Sequence, residues 1–73
     1  MGNQALILAV LRDVFSEAGG TKAKVRAMVR ERGLRDQKWI NNSFGHAWNQ
    51  LLHRDAIERI GNTQRFIAVD PGA

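Results

Sequence analysis

A chain of 73 residues forms one small domain, and without cysteine it has no disulfide, thiolate metal site or thiol nucleophile. No apolar run approaches the roughly 20 residues that span a bilayer, so we expect a soluble cytoplasmic protein (of the nucleoid, or nuclear in a eukaryote) with no membrane partner. The net charge of +4 is concentrated between Lys22 and Lys38, where seven basic residues accompany two acidic ones. Such a segment suits a polyanionic partner, but an ordinary solvated basic helix has the same charge.

The first predicted helix covers residues 3–18 and ends at the glycine pair that follows, since a residue after the last turn commonly needs positive φ. Its inward face at helical spacing consists of Ile7, Leu8, Leu11, Val14, Phe15 and Ala18. Leu6 and Val10 lie beside this stripe. They either cover a strand, which we favour for so small a domain, or form a self-association patch that makes a homodimer.

The second predicted helix covers residues 21–32, with Thr21 as N-cap and Gly33 as its end. Its inward residues are Val25, Met28 and Val29. Arg26 and Arg30 follow each other at i, i+4 on one flank and point outward.

The third predicted helix covers residues 36–54. Its apolar stripe is Ile40, Phe44, Ala47, Trp48, Leu51 and Leu52. The spacing leaves two alternatives open, namely one long helix capped by Asp36 or a short helix followed by a new start at Asn42–Ser43. Gly45 within this segment indicates a close backbone approach or a local break, because glycine costs about 1 kcal/mol relative to alanine in a helix.

The opposite face of the third helix is unusual in carrying amides and imidazoles. It groups Asn42, His46, Asn49 and His53, flanked by Trp39 and Gln50. A face needed only for solubility more often carries paired Glu, Lys and Arg. Amide and imidazole groups hydrogen-bond base edges or phosphates, so this face predicts recognition.

Other chemistry is disfavoured by spacing. His46 and His53 are about 10.5 Å apart along a helix, too far for one zinc ion. A set of Ser43, His46 and Asp55 has no spacing or oxyanion loop that favours catalysis. We therefore expect no metal, no cofactor and no enzymatic activity. Trp48 is expected in the core, and Trp39 over the turn between the second and third helices.

After residue 55 the apolar period shortens toward two, which predicts a hairpin over residues 56–69 with its turn at Gly61–Asn62. The polar segment 70–73 is not expected to continue the sheet.

These elements together resemble the winged helix-turn-helix superfamily over nearly the whole chain. The segment INNSFGHAWNQLLHRDAIERIGNTQRFIAVD is similar to the recognition helix and wing in the N-terminal DNA-binding domains of type IV restriction endonucleases and in HARE-type helix-turn-helix modules. The resemblance implies a mainly α fold with three helices and a small β-hairpin. It also implies a function in binding duplex DNA, as a regulator or as the targeting domain of a larger protein.

In that family the third helix enters the major groove and the wing follows the backbone or minor groove. The matching helix positions here are Asn42, Ser43, His46, Asn49, Gln50 and His53. The matching wing positions are Arg59, Asn62, Thr63, Gln64 and Arg65. Arg26, Arg30 and Lys38 would neutralise phosphates. Asn49 and Gln50 are the expected base readers, because an amide pairs bidentately with adenine.

A second function stays open, since winged helices also serve as protein-interaction modules. There, the third-helix face together with Leu6 and Val10 would meet a partner chain. RNA binding is disfavoured because the deep, narrow A-form major groove excludes a helix.

Overall fold

The computed structural model describes residues 2–69, which form four α-helices and a three-stranded antiparallel sheet. In chain order the elements are α1 (Asn3–Val14), β1 (Gly20–Thr21), α2 (Lys22–Glu31), α3 (Gln37–Asn42), α4 (Phe44–His53), β2 (Ile57–Arg59) and β3 (Arg65–Ala68). The expected mainly helical class is confirmed, and the layout is compatible with a winged helix. The predicted tail, residues 70–73, lies outside the described residues.

The first helix ends four residues earlier than predicted. Phe15 leaves the helical conformation (φ −122°, ψ 33°), and its N–H donates to the Leu11 carbonyl at 3.0 Å. A Cβ placed on Gly20 would lie 2.7 Å from the Phe15 ring, so the ring packs directly on the glycine backbone. The apolar spacing continues to Ala18, but this packing ends the helix at Val14 and leaves Ala18 exposed.

The sheet contains a strand that the sequence did not predict. β1 pairs with β3 through Gly20 opposite Phe66 and Thr21 opposite Arg65, which gives the strand order β1-β3-β2. Gly19 turns the chain into β1 at φ +76°, and a Cβ there would lie 2.5 Å from Ile60 Cδ1. Two residues carry no periodic signal, so this strand is defined only by its partner.

The predicted continuous helix over residues 36–54 is wrong, and the alternative of two helices is correct. Ser43 breaks the helix at φ −122° and ψ −24°, and its N–H donates to the Trp39 carbonyl at 2.7 Å. Ile40 and Phe44, four residues apart across this break, are both buried. The break separates Asn42 on α3 from the polar residues of α4.

The predicted helix caps are confirmed. The Thr21 hydroxyl accepts a hydrogen bond from the Lys24 N–H at 3.1 Å, and the Asp36 carboxylate accepts one from the Trp39 N–H at 2.8 Å. α2 closes at Gly33, which has φ +63°. α4 closes in the same way at Asp55, with φ +57°, and the N–H of Ala56 then donates to the Leu51 carbonyl at 2.9 Å. These caps fix where α4 stops and the hairpin begins.

Most of the predicted core is confirmed. Leu11, Val29, Phe44, Trp48 and Leu51 are buried in one cluster, and Phe15 packs half-buried against it. Leu52 is the error, because 38% of it is exposed. It lies about 100° around α4 from Leu51, beyond the side of the helix that the other elements cover.

The alternative of a self-association patch is not supported. Leu6 and Val10 belong to the core cluster and are only 4% and 2% exposed. They therefore offer no exposed apolar pair to a second copy.

The two adjacent leucines of α4 provide a matched test of this packing. Leu51→Ala is expected to lower the free energy of unfolding by about 2–5 kcal/mol, because it empties a fully buried position. Leu52→Ala is expected to lower it by only about 1 kcal/mol, because more than a third of the side chain is already exposed to solvent. Urea unfolding followed by circular dichroism measures both values. Equal losses would contradict the assignment of Leu51 alone to the core.

Candidate nucleic-acid interface

The outward face of α4 is flanked on one side by the start of α2 and by the β2–β3 hairpin. Between these elements runs an open groove of about 410 Å³. Its lining comes from α2 and the residue before it, from α4 and from the hairpin: Thr21, Lys22, Ala23, Trp48, Asn49, Leu52, Gln64 and Phe66. Three elements distant in sequence thus meet at one surface.

The two amides predicted to read bases have different surroundings. Gln50 Oε1 accepts a hydrogen bond from Gln4 Nε2 of α1 at 3.0 Å, and Gln50 Nε2 lies 3.3 Å from His46 Nε2. Both polar atoms of Gln50 are therefore already engaged. The side chain of Asn49 is exposed and makes no hydrogen bond within residues 2–69. Of these two amides, Asn49 is thus the one whose full hydrogen-bonding capacity is left for a ligand.

The other predicted helix positions divide between the two helices. His46 and His53 are exposed on α4, like Asn49. Asn42 is exposed at the end of α3, four residues after the exposed Lys38. Ser43 is half-buried at the break and makes no side-chain capping bond. His46, Asn49 and His53 therefore remain on one helix face, and Asn42 extends the surface on the neighbouring helix.

Three cations follow one flank of α2. Lys22, Arg26 and Arg30 recur every four residues, and this spacing aligns them along the helix. Arg26 Nη2 donates a hydrogen bond to Asn41 Oδ1 of α3 at 3.0 Å. Arg30 is exposed. Lys22 Nζ lies 3.7 Å from the position of a Cβ on Gly45. The positive flank therefore reaches the first turn of α4.

Lys22 and Leu52 line the groove beside α4, and sequence reasoning did not predict either residue there. From the sequence, Lys22 is predicted only as part of the basic segment. Its position beside Gly45 depends on how α2 and α4 lie relative to each other in the folded chain. Leu52 was predicted in the core because its spacing fits the apolar stripe. Its position at the edge of the apolar stripe is the feature of the sequence that indicates exposure.

The hairpin residues Arg59, Asn62, Gln64 and Arg65 are all exposed, but the two arginines lie on different sides of the sheet. Arg59 lies opposite Phe66 in the β2–β3 pair, and residues directly opposite each other in a sheet point to the same face. The Phe66 ring packs on Trp48, so this is the face toward α4. Arg65 precedes Phe66 and therefore points to the other face. Arg59 and Gln64 lie on the α4 side.

Thr63 stabilises the hairpin turn instead of pointing away from it. Its hydroxyl donates to the Ile60 carbonyl at 2.6 Å and accepts from the Arg65 N–H at 3.1 Å. The turn is therefore tightly held and presents Asn62 and Gln64 at fixed positions.

Trp39 does not flank the polar face of α4. Its ring packs edge-on against Phe44 with centroids 6.0 Å apart, and the Arg35 guanidinium carbon lies 5.7 Å from its centroid. This agrees with its predicted role over the turn between α2 and α3.

The described residues contain no group of three or more potential metal ligands. Within residues 2–69, no helix is long and apolar enough to cross a bilayer. The chain matches no family model, no curated protein and no solved structure.

Gly45 gives a test of the junction between α2 and α4. The nearest atom to a Cβ at this position is Lys22 Nζ at an ordinary contact distance of 3.7 Å. Gly45→Ala is therefore expected to raise the free energy of unfolding by about 0.4–1 kcal/mol, as alanine reduces the freedom of the unfolded chain. Gly33→Ala is the control and should destabilise, because φ there is +63°. Denaturation midpoints measure both, and destabilisation by Gly45→Ala would contradict the geometry.

Proposed function

We propose that this chain is a double-stranded DNA-binding module of the winged helix-turn-helix kind, acting as a regulator or as the targeting domain of a larger protein. α4 enters the major groove and the β2–β3 turn lies on the backbone or minor groove. The observation that carries the proposal is Asn49, an exposed amide without a hydrogen-bond partner in the described chain, between a cationic helix flank and the hairpin. The module binds and carries out no reaction.

Dimensions support this arrangement. An α-helix with its side chains is about 10–12 Å across, and the major groove of B-DNA is about 12 Å wide. α4 has ten residues and a polar outer face, and its opposite side is buried against the core. The strand order β1-β3-β2 puts the hairpin turn beside α4, the helix that would enter the major groove of DNA.

Charge supports the same orientation. Lys22 lies beside the first turn of α4, Arg26 is bonded to Asn41 of α3, and Arg30 continues the same flank of α2, so a backbone phosphate would pass along this flank. Arg59 adds a cation on the hairpin side. α2 and the hairpin, which both line the groove beside Asn49, thus both carry exposed cations, as expected for a groove-reading helix flanked by phosphate contacts.

One observation favours a protein partner as the second candidate function. The groove beside α4 has the apolar side chains of Trp48, Leu52 and Phe66 in its lining, and an apolar groove suits a protein side chain. Leu6 and Val10 are buried and would not take part.

Salt dependence separates the two functions. We expect the protein to bind a random-sequence 20-base-pair duplex with an affinity that falls steeply as NaCl increases. Arg30→Ala should weaken binding to all sequences alike and reduce the slope of log affinity against log salt by about one. Fluorescence anisotropy measures the slope.

Arg12→Ala is the matched control for this experiment. Arg12 is an exposed arginine in the last turn of α1, about 12 Å along that helix from Gln4, the α1 residue bonded to α4. Its removal takes away the same charge and should leave the slope unchanged. Binding that is insensitive to salt, or absent, would favour the protein partner.

Sequence reading is tested on the two neighbouring amides. On a duplex enriched by selection from a random pool, Asn49→Ala should weaken binding by about 1–3 kcal/mol, with little effect on random DNA. Gln50→Ala should retain most of the sequence preference, because Gln50 is already bonded to Gln4 and His46. Competition binding measures both. An unchanged preference in Asn49→Ala, with the fold intact by circular dichroism, would remove α4 as the reader.

A further inference from the structure

Leu52 is an apolar side chain exposed within the polar surface of α4. It is 38% exposed and lines the groove shared with Asn49 and Gln64. It also lines a second, adjoining groove of about 330 Å³ with Asn49 and His53. Isolated exposed leucines are common on protein surfaces. This one lines the same groove as the half-buried Phe66 and the almost fully buried Trp48, so it is the most exposed apolar side chain of the three and lies next to Asn49.

Asn49 and Leu52 are neighbours on α4, three residues apart and about 4.5 Å along its axis. Successive base pairs are about 3.4 Å apart. A helix that holds a base edge with Asn49 therefore brings Leu52 over an adjacent base pair. A leucine has no hydrogen bond to offer, and the apolar feature of the major groove is the C5 methyl group of a pyrimidine.

We propose that Leu52 is a specificity-determining residue that packs on the C5 methyl group of a pyrimidine next to the base held by Asn49. This inference rests on the proposed DNA-binding function. In unmodified DNA the methyl group is that of thymine, and in modified DNA it is also that of 5-methylcytosine.

The experiment uses the duplex that the wild-type protein enriches from a random pool, prepared in three forms that differ only in C5 methyl groups. One form is unmodified, one has deoxyuridine in place of every thymine, and one has 5-methylcytosine in place of every cytosine. Affinity for each form is measured with the wild-type protein, Leu52→Ala, Leu52→Met and Val69→Ala. Val69 is the matched control, because it is similarly exposed at 39% and follows the end of β3.

We expect deoxyuridine to weaken wild-type binding about fourfold, the effect of one buried methyl group. Leu52→Ala should bind the thymine and deoxyuridine forms equally. Leu52→Met and Val69→Ala should retain the difference, since the first keeps the apolar contact and Val69 lines neither of the two grooves that Leu52 lines. A gain on the 5-methylcytosine form that Leu52→Ala abolishes would assign the methyl group to cytosine.

Two results would overturn the inference. The first is that the wild-type protein binds all three forms of the duplex equally. The second is that a difference in affinity between the forms persists in Leu52→Ala. Both leave the DNA-binding function intact, because the duplex is still bound. Failure of the wild-type protein to bind any duplex at low salt would overturn the proposed function itself.

Discussion

The orientation of α4 depends on the packing of Trp48 between two phenylalanines. Its ring stacks on Phe44 one turn earlier, with centroids 5.9 Å apart, and meets Phe66 of β3 edge-on at 5.3 Å. Trp39 continues the row from α3 by packing on Phe44. Because these rings join α3, α4 and the sheet, they set the buried side of α4. They thereby determine that Asn49 faces outward and that Leu52 lies at the edge.

A second constraint comes from the two glycines before α2. Gly19 turns the chain at positive φ where a side chain would collide with Ile60, and Gly20 lies against the Phe15 ring. Together they let a two-residue strand reach β3 and anchor the hairpin to the start of α2. The groove between α2, α4 and the hairpin forms because α2 is tied to the hairpin at this point, while α4 packs on the hairpin through Trp48 and Phe66. The bond between Thr21 and Lys24 then starts α2 immediately after the strand.

In the proposed interface, the different kinds of contact come from elements that are far apart in the chain. α2 supplies positive charge, α4 supplies a hydrogen-bonding amide, and the hairpin supplies a tightly held turn fixed by Thr63. Phosphate contacts position a protein on DNA, whereas base contacts specify the sequence. Because Gln50 is bonded to Gln4, we propose that Asn49 is the base-reading amide. We propose that Leu52 adds an apolar contact next to that polar one.

Local signals in the sequence determined the mainly helical class, the caps at Thr21 and Asp36, and the closing turn at Gly33, because such signals act over a few residues. They also determined most of the core and the polar face of α4, since helical spacing decides which side chains share a side. The tertiary structure alone decided the early end of α1, the strand at Gly20 and the exposure of Leu52. The strand and the exposure of Leu52 depend on elements distant in the chain. The end of α1 depends on the Phe15 ring packing on Gly20 five residues later, a contact that helical spacing does not encode. Spacing along a helix shows which residues lie together, but only the packed neighbours decide where the buried side ends.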